Sequence, residues 1–340
     1  MKSKIIEYEH DTICIEKYIS FIKHLYKNDP RVNSYTNEIY NLLSEYNPFF
    51  KHAKIRNFMA IGENGILGHV SAIIDSRLKG VGIIGFYDSI QDINVSKLLL
   101  DNATNHLKLN KCNVIRGPIN LSIWNGYRFI ENLKRKPNLF DPFNKDYYPD
   151  FWKEYGFKVA ERYISAVRND FNHVIPHTKE NYKSALNEGF RIRNFDKEKA
   201  ESELKIVHYL SSQIFKDSWN IAEISFEEFY YIYKDIIKKA DTSFCEIIED
   251  KDSNPVGFCF SIPNPSIKKQ VILKTLGILS EFQGKGLAAA LLYSQHIKAK
   301  EKGFREFYYP LIRVGNNVTK FPYEGYEIIT NYASFELSLD

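Results

Sequence analysis

The sequence has few cysteines and little charge imbalance, and it lacks any long apolar run. Each absence excludes something. Its four cysteines, Cys14, Cys112, Cys245 and Cys259, form no CxxC pair and no dense framework in 340 residues. A disulfide scaffold and a zinc ribbon are therefore excluded, and reduced, mostly buried thiols of a cytoplasmic protein are expected. Lys and Arg number 46 against 42 Asp and Glu, a net +4 spread along the chain. No basic tract reads as a nucleic-acid arm, so no nucleic-acid partner is expected. No apolar stretch approaches the roughly 18 residues of a membrane-crossing helix. The basic start Met1-Lys-Ser-Lys4 has no apolar segment behind it, so it reads as the approach to a first strand, and export is not expected.

Several catalytic signatures are missing as well. There is no H-E-x-x-H and no cluster of carboxylates, so no metal is expected. Without a G-x-S-x-G elbow a hydrolase triad has no support. No Gly-Lys-Ser/Thr occurs, and no G-x-G-x-x-G follows a first strand. His173 and His177 are four apart, but Pro176 between them is read as a helix breaker.

What remains is an alternation of elements that occurs twice. Residues 12–26 carry apolar groups at helical spacing and stop before Asp29-Pro30; a second helix is expected over 36–46. Residues 57–61, the turn Glu63-Asn64-Gly65, residues 66–74 and residues 81–87 read as three strands in succession. An amphipathic helix over 95–107 and a strand over 113–118 follow. The second half repeats the order: a strand over 190–195, helices over 197–214 and 225–240, strands over 243–249, 256–262 and 271–279, a helix over 287–302, and a strand over 304–309. At roughly 150 residues per domain, the length suits two domains. They are placed at 1–168 and 186–340, with a polar linker over 169–185.

The sharpest local signal is Gln283-Gly284-Lys285-Gly286-Leu287-Ala288. A strand ends, a glycine-containing loop follows, and a helix begins at once. Such a loop turns backbone N–H groups toward a phosphate, where the helix N-terminus adds partial positive charge. The hexapeptide resembles the Q/R-x-x-G-x-G/A pyrophosphate loop of the GNAT acyltransferase superfamily. Longer stretches, including Arg116-Gly-Pro-Ile-Asn120 and Tyr147-Tyr-Pro149, are similar to bacterial tandem GNAT-like proteins.

The resemblance implies an α+β fold of two tandem GNAT-like domains, each a mixed, mainly antiparallel sheet flanked by helices. It implies an acyltransferase that moves an acyl group from acetyl-CoA or another acyl-CoA to the amine of a small-molecule acceptor. Leu276, Ile278 and Leu279 would offer backbone groups to the donor. Gln283, Gly284, Lys285, Gly286, Leu287 and Ala288 would hold its pyrophosphate, with Asn316 and Asn317 nearby. Many members carry a general-acid Tyr four residues before the Gly that Gly325 matches. Here that position is Phe321, and Tyr323 is out of register with it.

For the base that deprotonates the amine, Glu223 and Glu306 are the candidates. The equivalent loop of the first half, Asp88 to Val95, has two acidic residues and no glycine, which suits no pyrophosphate. Two alternatives stand beside the transferase: a non-catalytic acyl-CoA-binding protein, and a Fem-like transferase that uses aminoacyl-tRNA.

Overall fold

The computed structural model describes residues 3–169, 171–315 and 326–339. The chain opens with β1 (Lys4–Tyr8), α1 (Thr12–Leu25) and α2 (Val32–Leu43). A meander of β2 (Ala53–Gly62), β3 (Gly65–Asp75) and β4 (Val81–Ser89) follows. Next come α3 (Ile93–Leu109), β5 (Val114–Gly117), β6 (Phe129–Leu133), α4 (Tyr148–Tyr155) and β7 (Lys158–Arg168). The second half contains α5 (Phe171–Asn187), β8 (Arg191–Asn194), α6 (Ala200–Ile214), α7 (Phe226–Lys239) and β9 (Glu246–Glu249). It ends with β10 (Pro255–Pro263), β11 (Gln270–Ile278), α8 (Leu287–Glu301), β12 (Glu306–Arg313) and β13 (Tyr326–Ser338).

Local chemistry explains many of these boundaries. Asp11 caps α1 by accepting from the Cys14 amide, and Asp92 caps α3 through the Asn94 amide. Ser225 and Glu228 form a reciprocal capping box on α7. Pro176 lies inside α5 and does not end it. A proline this near the helix start removes one i−4 bond only, and Phe171, Val174 and Thr178 bury a continuous stripe around it. His173 and His177 therefore do share a face, with rings 6.1 Å apart. Among the described residues no group of three or more His, Cys, Asp or Glu could hold a metal ion.

The fold is α+β, and the two halves share one sheet of 13 strands. Its order is β1-β2-β3-β4-β5-β13-β7-β12-β11-β10-β9-β8, with β6 beside β13. Only β4/β5 and β11/β12 are parallel among these pairs; the rest are antiparallel. The centre of the sheet is an exchange. β13, from the end of the chain, pairs with β5 of the first half (Phe335↔Gly117), while β7 of the first half pairs with β12 of the second (Tyr308↔Val167). β7 and β13 also pair with each other over most of their length.

Helices cover both faces. In the first half α3 and α4 enclose one core around Leu99, Trp152 and Phe335, and α1 and α2 enclose the other around Tyr18, Ile39 and Phe86. In the second half α5 and α8 cover Val271, Leu291 and Phe307, and α6 and α7 cover Ile272, Phe229 and Tyr308. No helix among the described residues is long and apolar enough to cross a membrane.

Candidate functional site

The second half has an opening in its sheet. β11 and β12 pair at Gln270↔Glu306, Val271↔Phe307 and Ile272↔Tyr308, and at no residue beyond. β11 continues to Ile278 on β10, and β12 continues to Arg313 on β7. Lys274 is skipped in the β10–β11 register, a bulge that increases local twist just where the pairing with β12 ends. Residues 273–278 thus leave a backbone edge that no strand covers among the described residues. Leu276 and Ile278 pack toward α8, while Thr275 faces α6 and α7.

The glycine loop stands at the end of this opening. The Gln283 side-chain amide donates to the Ile278 carbonyl (3.1 Å), tying the loop to the last residue of β11. Gly284 and Gly286 take φ of +82° and +75°, the left-handed region, and Gly286 is the N-cap residue of α8. Ala290 donates to the Gly286 carbonyl, whereas the amides of Gly284 through Ala289 donate to no backbone carbonyl among the described residues. Six consecutive amides without a backbone acceptor at a helix start are groups that an anion could accept from. Lys285 is exposed beside them, its ammonium 5.4 Å from the centre of the Phe282 ring. Asn181 of α5 closes the other side: a Cβ at Gly286 would lie 2.4 Å from its amide nitrogen. The residue types thus suit a diphosphate group.

The first half has the same opening, but it is plugged. β4 and β5 pair only at Val81↔Val114, Gly82↔Ile115 and Ile83↔Arg116. Beyond them the chain after β5 folds back into the gap. The Ile119 amide donates to the Ile84 carbonyl (2.9 Å), and the Phe86 amide donates to Asn120 Oδ1 (2.7 Å). A Cβ at Gly85 would come within 1.9 Å of the Ile119 carbonyl oxygen, so only glycine admits this plug. Asp88 does not face the loop. Tyr18, Tyr26 and Tyr148 all donate to its buried carboxylate (2.7, 2.7 and 3.2 Å), and burial raises its pKa to about 6. Steric filling, and not carboxylate repulsion at Asp88, closes this half.

The proposed bases differ in setting. Glu306 stands at the closed end of the β11–β12 pair, where it accepts from Gln270 (2.6 Å) and pairs with Arg135 (3.0 Å). Glu223 is exposed on the connection before α7, and its backbone carbonyl accepts from Arg77 of the first half. Asn316, Asn317, Phe321 and Tyr323 lie outside the described residues.

Side chains that the sequence did not single out surround the opening. Tyr308 is the last residue of β12 that pairs with β11, and its hydroxyl donates to Asp141 (2.5 Å), as does that of Tyr332 on β13 (2.6 Å). Tyr309 comes next, 2.6 Å from Nε2 of His296 on α8. His296 Nδ1 is 2.6 Å from the Leu292 carbonyl, so it carries the proton and Nε2 accepts from Tyr309. Burial lowers the His296 pKa to about 4. Asp141 and Trp124 belong to the long connection between β5 and α4, so the first half supplies part of the wall. Only their position 160 or more residues from Tyr308 in sequence hid them.

Residues 209–318 match the acetyltransferase (GNAT) family. The whole chain is similar in structure to a tandem GNAT protein from the clavulanic acid biosynthesis pathway, solved without AcCoA. That likeness has 8% identity and a TM-score of 0.60, covering 99% of this chain and 98% of that one. Residues 209–318 thus carry a GNAT domain, and the whole chain shares the fold of a tandem GNAT protein. A GCN5-related N-acetyltransferase from Sphaerobacter thermophilus gives 10% identity and a TM-score of 0.55, covering 98% and 95%. The glucosamine N-acetyltransferase region of a fungal multi-domain GH3 beta-N-acetylglucosaminidase gives 12% identity and a TM-score of 0.60 over 99% of this chain. This chain spans only 38% of that fungal protein. No curated protein matches the sequence. At these identities the structural likenesses concern the fold.

Proposed function

We propose that the protein transfers an acyl group from acyl-CoA to a small-molecule amine, with the donor held by the second half alone. The observation that carries this reading is the unequal pair of openings: β11 and β12 separate beside six unpaired amides, while the equivalent gap in the first half is filled by Ile119 and Asn120. Backbone groups of Leu276, Ile278 and Leu279 would align the pantetheine arm. Gln283, Gly284, Lys285, Gly286, Leu287 and Ala288 would hold the diphosphate. Asn316 and Asn317 remain candidates for contacts with the same donor. The division at 1–168, 169–185 and 186–340 belongs to the same proposal, with each unit lending a strand to the other.

The donor supplies an activated thioester. The protein's part is to place the amine nitrogen against the carbonyl carbon and to exclude water, an effect of orientation. The amine adds to that carbon, the C–S bond breaks, the ammonium loses a proton and the thiolate gains one. Glu223 is the remaining base candidate, since Glu306 is engaged by Arg135 and Gln270. Tyr323 is the candidate acid.

Glu306's engagement also favours a second reading, a GNAT protein that binds acyl-CoA without turning it over. Thiol release from acetyl-CoA across an amine library separates the two. Amine-dependent release of free CoA is expected; saturable donor binding with no thiol release above the rate without protein would leave the binder.

A further inference from the structure

Beside the opening, between the sheet and helices α6 and α7, lies a cavity of about 60 Å³. Its lining is almost wholly apolar. Thr275, Trp124, Phe260, Tyr233, Val207 and Phe215 are half-buried, whereas Ile247 and Phe258 are buried. Thr275, one of the lining residues, lies on β11 past Ile272, the last residue paired with β12, so the cavity reaches the strand that borders the gap. The charged member of the lining, Glu246, is fully occupied: Lys298, Ser294 (2.9 Å) and Gln295 (2.7 Å) all donate to it. The Cys245 thiol is turned toward the Ser261 carbonyl (3.3 Å). The cavity therefore offers apolar surface and no unpaired charge, a poor site for an amine or for water.

We infer that this cavity receives the acyl chain of the donor and that the protein prefers chains longer than acetyl. The inference rests on the reading of residues 276–288 as the donor site. A cavity of about 60 Å³ admits a short run of methylenes beyond the thioester carbonyl and is too small for a long fatty chain. Val207 and Ser211 on α6 also line the cavity, so enlarging either side chain shortens it. An apolar tail on the acceptor is the competing occupant; the contribution of Thr275 on β11, the strand assigned to the donor, favours the acyl chain.

The test is calorimetric titration with CoA, acetyl-CoA, butanoyl-CoA, hexanoyl-CoA and dodecanoyl-CoA. Affinity is expected to rise about fourfold per methylene up to hexanoyl and then level off or fall. In Val207→Phe, and in Ser211→Leu should the first variant fail to fold, the gradient should flatten while CoA itself binds as before. Equal affinity for CoA and every acyl-CoA in the unaltered protein would overturn the inference, as would a gradient unchanged in a folded, filled variant. A protein that binds acyl-CoAs only as well as CoA refutes the chain pocket alone. One that binds no CoA refutes the donor site as well.

Discussion

Single residues carry testable consequences at both glycines of the loop before α8. Gly284 has a positive φ but open space where a Cβ would stand, so Gly284→Ala should cost about 1 kcal/mol from backbone strain alone. Gly286→Ala meets the same strain and also the Asn181 amide, the end of a side chain that can turn aside, so it should cost about 1 kcal/mol more. Adding Asn181→Ala should recover that excess but not the strain, as read by urea denaturation. Equal costs for the two glycine variants would contradict the packing described.

Buried histidine gives a second test at this scale. The His296 pKa is depressed to about 4 from an ordinary 6.5, so its contribution to stability is complete above pH 6.5 and is lost as pH falls toward 4. Over that window the loss is about 3 kcal/mol at 1.36 kcal/mol per unit. His296→Gln should remove this part of the acid sensitivity, flattening the fall of melting temperature between pH 6.5 and 4. An unchanged slope would show that the imidazole is not held neutral. The spacing from Gln283 to Ala288 could be read from sequence, because loop chemistry is local. The role of Asp88 could not, because Tyr18, Tyr26 and Tyr148 converge on it from 60 to 70 residues away.

At the level of elements, helices with capped ends and one apolar face were legible. Asp11 before α1 and Ser225 before α7 mark starts that structure and sequence share. The meander β2–β3–β4 was equally legible, since Asn64-Gly65 encodes its first turn. The strands β7 and β13 were not. Lys158 to Arg168 mixes charge with apolar residues because it lies between β13 and β12, both distant in sequence. The α5 segment misled for the opposite reason, its polar composition belonging to an exposed helix face while Phe171, Val174 and Thr178 pack inward. The plug of the first half was hidden too: Gly85 looks like any strand glycine until Ile119 is brought against it.

The whole molecule is tied together by the exchange of β7 and β13. An isolated 186–340 fragment would leave β12 without β7, and an isolated 1–168 fragment would leave β5 without β13. Exposed strand edges of this kind aggregate. Each fragment expressed alone should therefore be insoluble or largely unstructured by circular dichroism, and the intact chain should unfold in one transition. Two soluble, folded fragments with independent melts would contradict the shared sheet.

The proposed function assigns the donor to one half, because one opening is uncovered among the described residues and the other is filled. The most direct test is calorimetric titration of the intact protein with CoA, alongside Gly286→Glu and the exposed variant Lys285→Glu. One CoA per chain is expected, with binding abolished in Gly286→Glu and weakened in Lys285→Glu while the circular dichroism spectrum is retained. Two CoA per chain, or undiminished affinity in a folded Gly286→Glu protein, would contradict a single donor site in the second half.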